Sequence, residues 1–138
     1  MSKSLIAIII ILLLSYGRSR QIAEEQKHLD AVNKATGLWI HQNTPAHADV
    51  AIKDIGSIGY YSKRRVLDLA GLVSPQCIPF RARNDFLGPI RKFRPAYFAF
   101  SSGQARNLGL DHSDLLFGYK PVKTIQNRYG TYIIYGRQ

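Results

Sequence analysis

The chemistry this sequence offers is concentrated between residues 54 and 68, in two carboxylates set among cations, tyrosines and glycines. Asp54 opens the run Asp54-Ile-Gly-Ser-Ile-Gly-Tyr-Tyr61, and Asp68 lies within Arg64-Arg-Val-Leu-Asp-Leu-Ala-Gly-Leu-Val73. If the flanking segments pair as strands, the two carboxylates lie side by side, an arrangement that serves acid–base chemistry. A structural role weighs more. Asp54 is expected to cap the glycine turn through side-chain-to-backbone bonds, and Asp68 to pair with Lys63, Arg64 or Arg65. Gly56 and Gly59 could turn backbone N–H groups toward a phosphate. The run has neither the Lys-Ser/Thr of a P-loop nor a three-glycine dinucleotide spacing, so it reads as a tight turn, with one short helical turn over Ile55 to Tyr61 as the variant. Tyr60, Tyr61, Lys63 and Arg64 stand at its rim, where rings stack on sugars and guanidinium groups pair with phosphate. The candidate ligand-binding set is therefore Asp54, Gly56, Gly59, Tyr60, Tyr61, Lys63, Arg64 and Asp68, with no catalytic residue.

Other reactive residue types give weaker patterns. His41, His47 and Asp49, and likewise Asp111, His112 and Asp114, are spaced more loosely than ligand motifs, so no metal or cofactor is expected. The single Cys77 has no partner for an internal disulfide and reads as a small core residue. Arg81, Arg83, Arg91, Lys92 and Arg94 interleave with Phe80, Phe86 and Phe93. Such interleaving can mean nucleic-acid binding. Here the phenylalanines fall at core-facing helical offsets, and anionic lipid is the simpler partner for the cations.

These residues must be positioned by the elements around them. From Gln21 to His41 the residues Ile22, Leu29, Val32, Leu38, Trp39 and Ile40 trace one face of an α-helix, with Trp39 as a core anchor. Gly37 weakens that helix by ~1 kcal/mol relative to Ala, and Asn43-Thr-Pro45 ends it. Residues 50–54 and 66–70 read as strands. A helix over 84–93, kinked or split at Pro89, is followed by a strand over 96–100 and a polar loop over 101–114 with room for a short helix. Strands over 120–125 and 129–135 form a hairpin turning at Asn127–Gly130. The fold class is α/β, with α+β as the variant: a small mixed sheet of about five strands with helices packed on it.

Composition bounds the rest. The chain of 138 residues suffices for one domain with a core. Residues 18–138 carry 18 Lys and Arg against 9 Asp and Glu, a net of +9 that favours anionic partners. Leu5 to Leu14 is entirely apolar, shorter than the ~20 residues of a full span and within the ~7–15 of a signal core. Arg18 and Arg20 follow at once and count against cleavage. Residues 1–17 therefore read as a membrane anchor, either a last transmembrane helix or a signal anchor, and 18–138 as a single domain.

The block from Trp39-Ile40 through Asn43-Thr-Pro45, Asp54 to Ser62 and Arg65 to Leu72 resembles the region after the last transmembrane helix in bacterial GT-C-type glycosyltransferases that use polyprenyl-phosphate sugars. Arg94-Pro-Ala-Tyr-Phe98 is similar to a later strand entry of that family, with Ala96 in place of its usual acid. The resemblance implies an extracytoplasmic domain on the inner membrane. It also implies a polyprenyl-phosphate sugar or glycan acceptor as ligand, and the catalytic membrane part of such an enzyme as partner. The family's catalytic carboxylate belongs to an early membrane loop with no counterpart here, so this chain is expected to have no activity alone. Two readings follow. One is a membrane-tethered accessory domain of a lipid-linked glycosyltransferase. The other is a stand-alone, signal-anchored module for an anionic glycan or lipid. A cytoplasmic nucleic-acid binder is weakest, because ten consecutive apolar residues are hard to keep in water.

Overall fold

The computed structural model of the protein describes residues 3–110, 118–128 and 130–138. Helix α1 runs unbroken from Lys3 to Asn43. Aliphatic residues start it, Glu-, Gln-, Lys- and Ala-rich sequence continues it, and no proline interrupts it before Pro45. Its described side chains from Ala7 to Ala31 are all exposed, apart from His28, whose side chain is outside the described set. The packed stripe begins only at Val32 and continues through Thr36 and Ile40, spaced four apart. Ile22 and Leu29, expected on that stripe, stay exposed, although Leu29 reaches the start of β5 beside Gly130. Trp39 packs half-buried against the core, as expected. Among the described residues no helix is long and apolar enough to cross a membrane.

The remaining elements are β1 (Asp49–Ile52), α2 (Ile55–Ser62), β2 (Arg65–Asp68), a 3-10 turn (Pro75–Cys77), α3 (Ile78–Arg81), α4 (Gly88–Phe93), β3 (Tyr97–Ser101), α5 (Ser102–Asn107), β4 (Tyr119–Asn127) and β5 (Gly130–Arg137). The strands form one mixed sheet in the order β2-β1-β3-β5-β4. β1 pairs in parallel with β2 and β3, while β5 runs antiparallel to β3 and β4. Alternation of side chains builds two cores. Val50, Ile52, Ala99, Tyr132 and Ile134 face α1 and α2, with Val32, Ile40 and Ile58. Ala51, Leu67, Phe98, Phe100 and Tyr135 face the other way, onto Cys77, Ile90, Ala105 and Leu110. The chain is thus an α/β domain with helices on both faces of a five-stranded sheet.

Both edges of the sheet are blunted. β2 is four residues long, and β4 carries Lys120, Pro121 and Lys123 with a register break between Pro121 and Lys123. The expected hairpin between β4 and β5 is present, and the Gly130 N–H donates to Asn127 Oδ1 at 2.9 Å.

Two local expectations are corrected. The Gly56/Gly59 segment is not the tight turn favoured for it but the helical variant, extended to the eight residues of α2. Neither glycine has a positive φ. Gly56 borders open space, and a Cβ at Gly59 would make ordinary contacts with Val66 and Ile52. Of the helix expected over 84–93 only the second half forms, as α4, and α3 lies before that range. Asn84 takes a left-handed φ of 58° between them, and Pro89 sits in the first turn of α4, where its missing N–H costs nothing. Asp85 fixes the break by accepting from the Gly88 N–H at 2.7 Å. The short helix allowed for after β3 is present as α5, whose entry is a capping box between Ser101 and Gln104.

The order of connections places a site. From β1 the chain crosses through α2 to β2 on one side, then returns through α3 and α4 to β3 on the other. The crevice at the carboxyl ends of β1 and β3 is therefore a topological switch point, where open α/β sheets bind ligands.

Candidate functional site

Of the candidate ligand-binding residues, one reaches that crevice. Asp54 stands just beyond β1 at the N-cap position of α2, without a side-chain capping bond. Its Oδ2 accepts instead from Tyr132 Oη at 2.7 Å and from Gln104 Nε2 at 2.9 Å. A carboxylate at this end of α2 suits the helix dipole and occupies the place a phosphate would take.

The others serve the fold. Asp68 is fully buried and pairs with none of Lys63, Arg64 or Arg65. Its carboxylate accepts from the N–H groups of Ala70 at 2.8 Å and Val73 at 2.9 Å. Its register partner on β1 is Ile52, so the two carboxylates are not side by side. Arg64 closes the carboxyl end of α1, donating to the carbonyl oxygens of His41 and Thr44 and to Thr44 Oγ1. Arg65 makes a two-point pair with Asp49 across β1 and β2. Lys63 adopts a left-handed conformation at the end of α2 and lies 4.3 Å from the centre of the Tyr60 ring, while Lys34 lies 5.0 Å from that of Tyr61. Tyr60, Tyr61, Gly56 and Gly59 sit on α2, away from the crevice.

Apart from Phe86, the crevice itself is built from residues the sequence did not single out. Lys53 leaves the end of β1, Phe100 lies at the end of β3, and Gln104, Asn107 and Leu108 come from α5 and its exit. Asn84 and Phe86 come from the break between α3 and α4. They line a depression of about 310 Å³. The Lys53 ammonium lies 4.6 Å from the centre of the Phe86 ring, worth roughly 0.5–1 kcal/mol at an exposed site. The volume is at the lower end of small-ligand sites, enough for a sugar ring or a phosphorylated head. The lining supplies one cation and three amides that can bond such a ligand, beside the Phe86 ring and the fully buried Phe100.

Tyr132 ties the crevice to the core. Burial pushes its phenol well above the usual tyrosine range, and the bond to Asp54 and that carboxylate's charge push it further in the same direction. A raised tyrosine pKa means the folded chain holds a proton that the unfolded chain releases near pH 10. The associated stability is complete below pH ~10 and is lost as pH rises beyond it. Urea midpoints should therefore fall above pH 10. Spectrophotometric titration of Asp54→Asn should show Tyr132 ionising at lower pH than in the parent protein. Coincident titration curves for the two proteins would contradict this account.

Two further expectations concern reactive groups. Cys77 is free and buried in the core on the α3–α5 face, and burial, then the charge of Asp68, raises its thiol pKa. Among the described residues no cluster of His, Cys, Asp and Glu could hold a metal. Asp111, His112 and Asp114 lie outside the described residues.

The crevice had one legible signal, the Ser101-x-x-Gln104 capping box, which would have put a helix over the carboxyl end of β3. The bond between Asp54 and Tyr132, 78 positions apart, has none. No curated protein and no solved structure matches the chain. A domain family does match, from residue 20 to residue 135, spanning the sheet, its helices and the second half of α1 but not the apolar start. On that match the chain belongs to the family described as Domain of unknown function (DUF8728).

Proposed function

We propose that this chain is a non-catalytic binding domain, tethered to the outer side of a membrane by the start of α1. It holds a sugar or phosphate head of a lipid-linked saccharide in the crevice at the carboxyl ends of β1 and β3. The observation that carries this reading is the convergence of Lys53, Asn84, Gln104 and Asn107 around Phe86 and Phe100 at the switch point of the sheet. Amides bond a sugar's hydroxyls, and an ammonium pairs with phosphate. The resemblance of residues 39–74 to the tail of polyprenyl-phosphate-sugar glycosyltransferases supports the ligand class. The apolar, exposed residues from Ile8 to Leu14 support the tether. Ten apolar residues of helix reach ~15 Å, about half of a bilayer's hydrocarbon core.

The test is a titration of the full chain with farnesyl phosphoryl mannose, followed by amide NMR shifts, with farnesyl phosphate and free mannose as partial probes. Shifts should centre on residues 53, 84, 104 and 107. Lys53→Ala should weaken binding of both phosphate probes about tenfold or more, the value of one charge-assisted bond. Shifts elsewhere, or an affinity indifferent to Lys53→Ala and Gln104→Ala, would overturn the crevice as the site. A reporter fused after Gln138 and read on each side of the membrane tests the compartment.

A further inference from the structure

A second surface lies on the face of the sheet opposite α1. The segment from Gly71 to Phe93 presents Leu72, Val73 and Ile78 to solvent at 78%, 65% and 53% exposure. Three aliphatic side chains so exposed, so close in sequence, are unusual on a soluble face. They are also contiguous in space. A Cβ on Gly71 would come within 3.0 Å of the Ile78 side chain. Val73 and Phe93 line the same depression, and Phe93 meets Phe80 edge-on at 6.4 Å.

Cations border this apolar surface. Between residues 69 and 110 there are six Arg and Lys against one acid, Asp85, which is already bonded to Arg91. Arg83 and Lys92 lie over the Phe80 ring at 5.6 and 5.7 Å, Lys92 also lies over Phe93 at 5.4 Å, and Arg81 lies over Phe86 at 5.3 Å. Among the described residues no carboxylate pairs with Arg81, Arg83 or Lys92. Aliphatic tips with basic groups around them match a bilayer interface, where the tips enter the acyl boundary and the cations meet lipid phosphates. The same arrangement argues against nucleic acid, because cations already lie over the Phe80 and Phe86 rings on which bases would stack.

We infer that the surface from Leu72 to Phe93 docks on an anionic phospholipid bilayer, independently of α1. Phe86 belongs both to this surface and to the wall of the crevice, so docking would bring the crevice to the lipid headgroups. The inference shares with the proposed function only the nearness of a membrane, and not the identity of the crevice's ligand.

The experiment is vesicle co-sedimentation of the full chain on pure phosphatidylcholine and on phosphatidylcholine with 30% phosphatidylglycerol (probe compositions of about that charge give a strongly negative surface). It is run in the parent protein and in an Ile10→Ser/Leu13→Ser background that weakens any insertion of α1. The parent should prefer the anionic vesicles, and the preference should shrink as salt rises from 0.05 to 0.5 M. Arg81→Gln/Arg83→Gln/Lys92→Gln should reduce anionic binding roughly a hundredfold, at about fivefold per charge. Leu72→Ser/Val73→Ser should lower it without changing the salt slope. All these side chains are exposed, and an unchanged thermal melt verifies folding. Anionic binding within twofold of the parent in both surface variants would overturn the inference, and would leave the surface to a partner other than lipid. Failure of the α1 tether would instead appear as Ile10→Ser/Leu13→Ser binding neutral vesicles as the parent does.

Discussion

Gly37→Ala is expected to lower the melting temperature by about 8 °C, although alanine is the better helix former. At this position α1 lies directly on α2. An added Cβ would sit 2.8 Å from Ile58 O, 2.8 Å from Tyr61 Cβ and 3.2 Å from the Ser62 nitrogen. Two of these three atoms are backbone, so no rotamer change relieves the clash and one helix must move. Overpacking of this kind costs ~1–3 kcal/mol, and the helix propensity of alanine returns at most ~1. A net loss near ~2 kcal/mol in a domain of this size corresponds to several degrees. Gly17→Ala is the control. It lies in the same helix, with nothing within 4 Å of its would-be Cβ, and should not lower the melting temperature. Equal effects at the two positions would show that the α1–α2 contact is looser than described.

Asp68→Ala should be more damaging, by about 3–5 kcal/mol. The side chain is fully buried and ties down the segment after β2 at two points, the N–H groups of Ala70 and Val73. Ser74, itself buried, completes the knot by accepting from the Asp68 N–H at 2.9 Å. Gly71 can make the turn inside it because it takes a φ of 84°. Alanine leaves two part-buried donors without their acceptor, at ~1–3 kcal/mol each, and empties the buried space of the carboxylate. Asp68→Asn retains one acceptor oxygen and should lose about half as much. Hydrogen exchange reads the mechanism directly. The amides of Ala70 and Val73 should lose protection in both variants, more so in alanine. Since Leu72 and Val73 are held by this knot, loosening it should also weaken the inferred lipid contact.

The periodic and punctuated parts of the chain were legible in its sequence. Three strands, the hairpin at Asn127–Gly130 and the end of α1 before Pro45 follow from alternation, turn chemistry and the restriction on residues preceding proline. What escaped were features decided by distant contacts. Gly56 and Gly59 look like turn residues, yet Ile55 and Ile58 are held in a helix by packing against α1 and the sheet. Tertiary contact overrode local preference there. Arg64 and Asp68 look like an available ion pair, yet each found backbone partners, because the carboxyl end of α1 and the turn after β2 both have groups to satisfy. The crevice gathers Lys53, Asn84 and Gln104 from three separate connections, and no spacing in the sequence links them.

The blunted edges of the sheet bear on how crowded this domain can become. At high local concentration, bare sheet edges recruit neighbouring chains into growing fibrils. Here one terminal strand spans only four residues. The other has a proline that cannot donate, lysines on either side of it, and a break in register. Each of these features hinders the addition of another strand. The edges thus guard against aggregation at a density where a smooth-edged sheet would not remain dispersed.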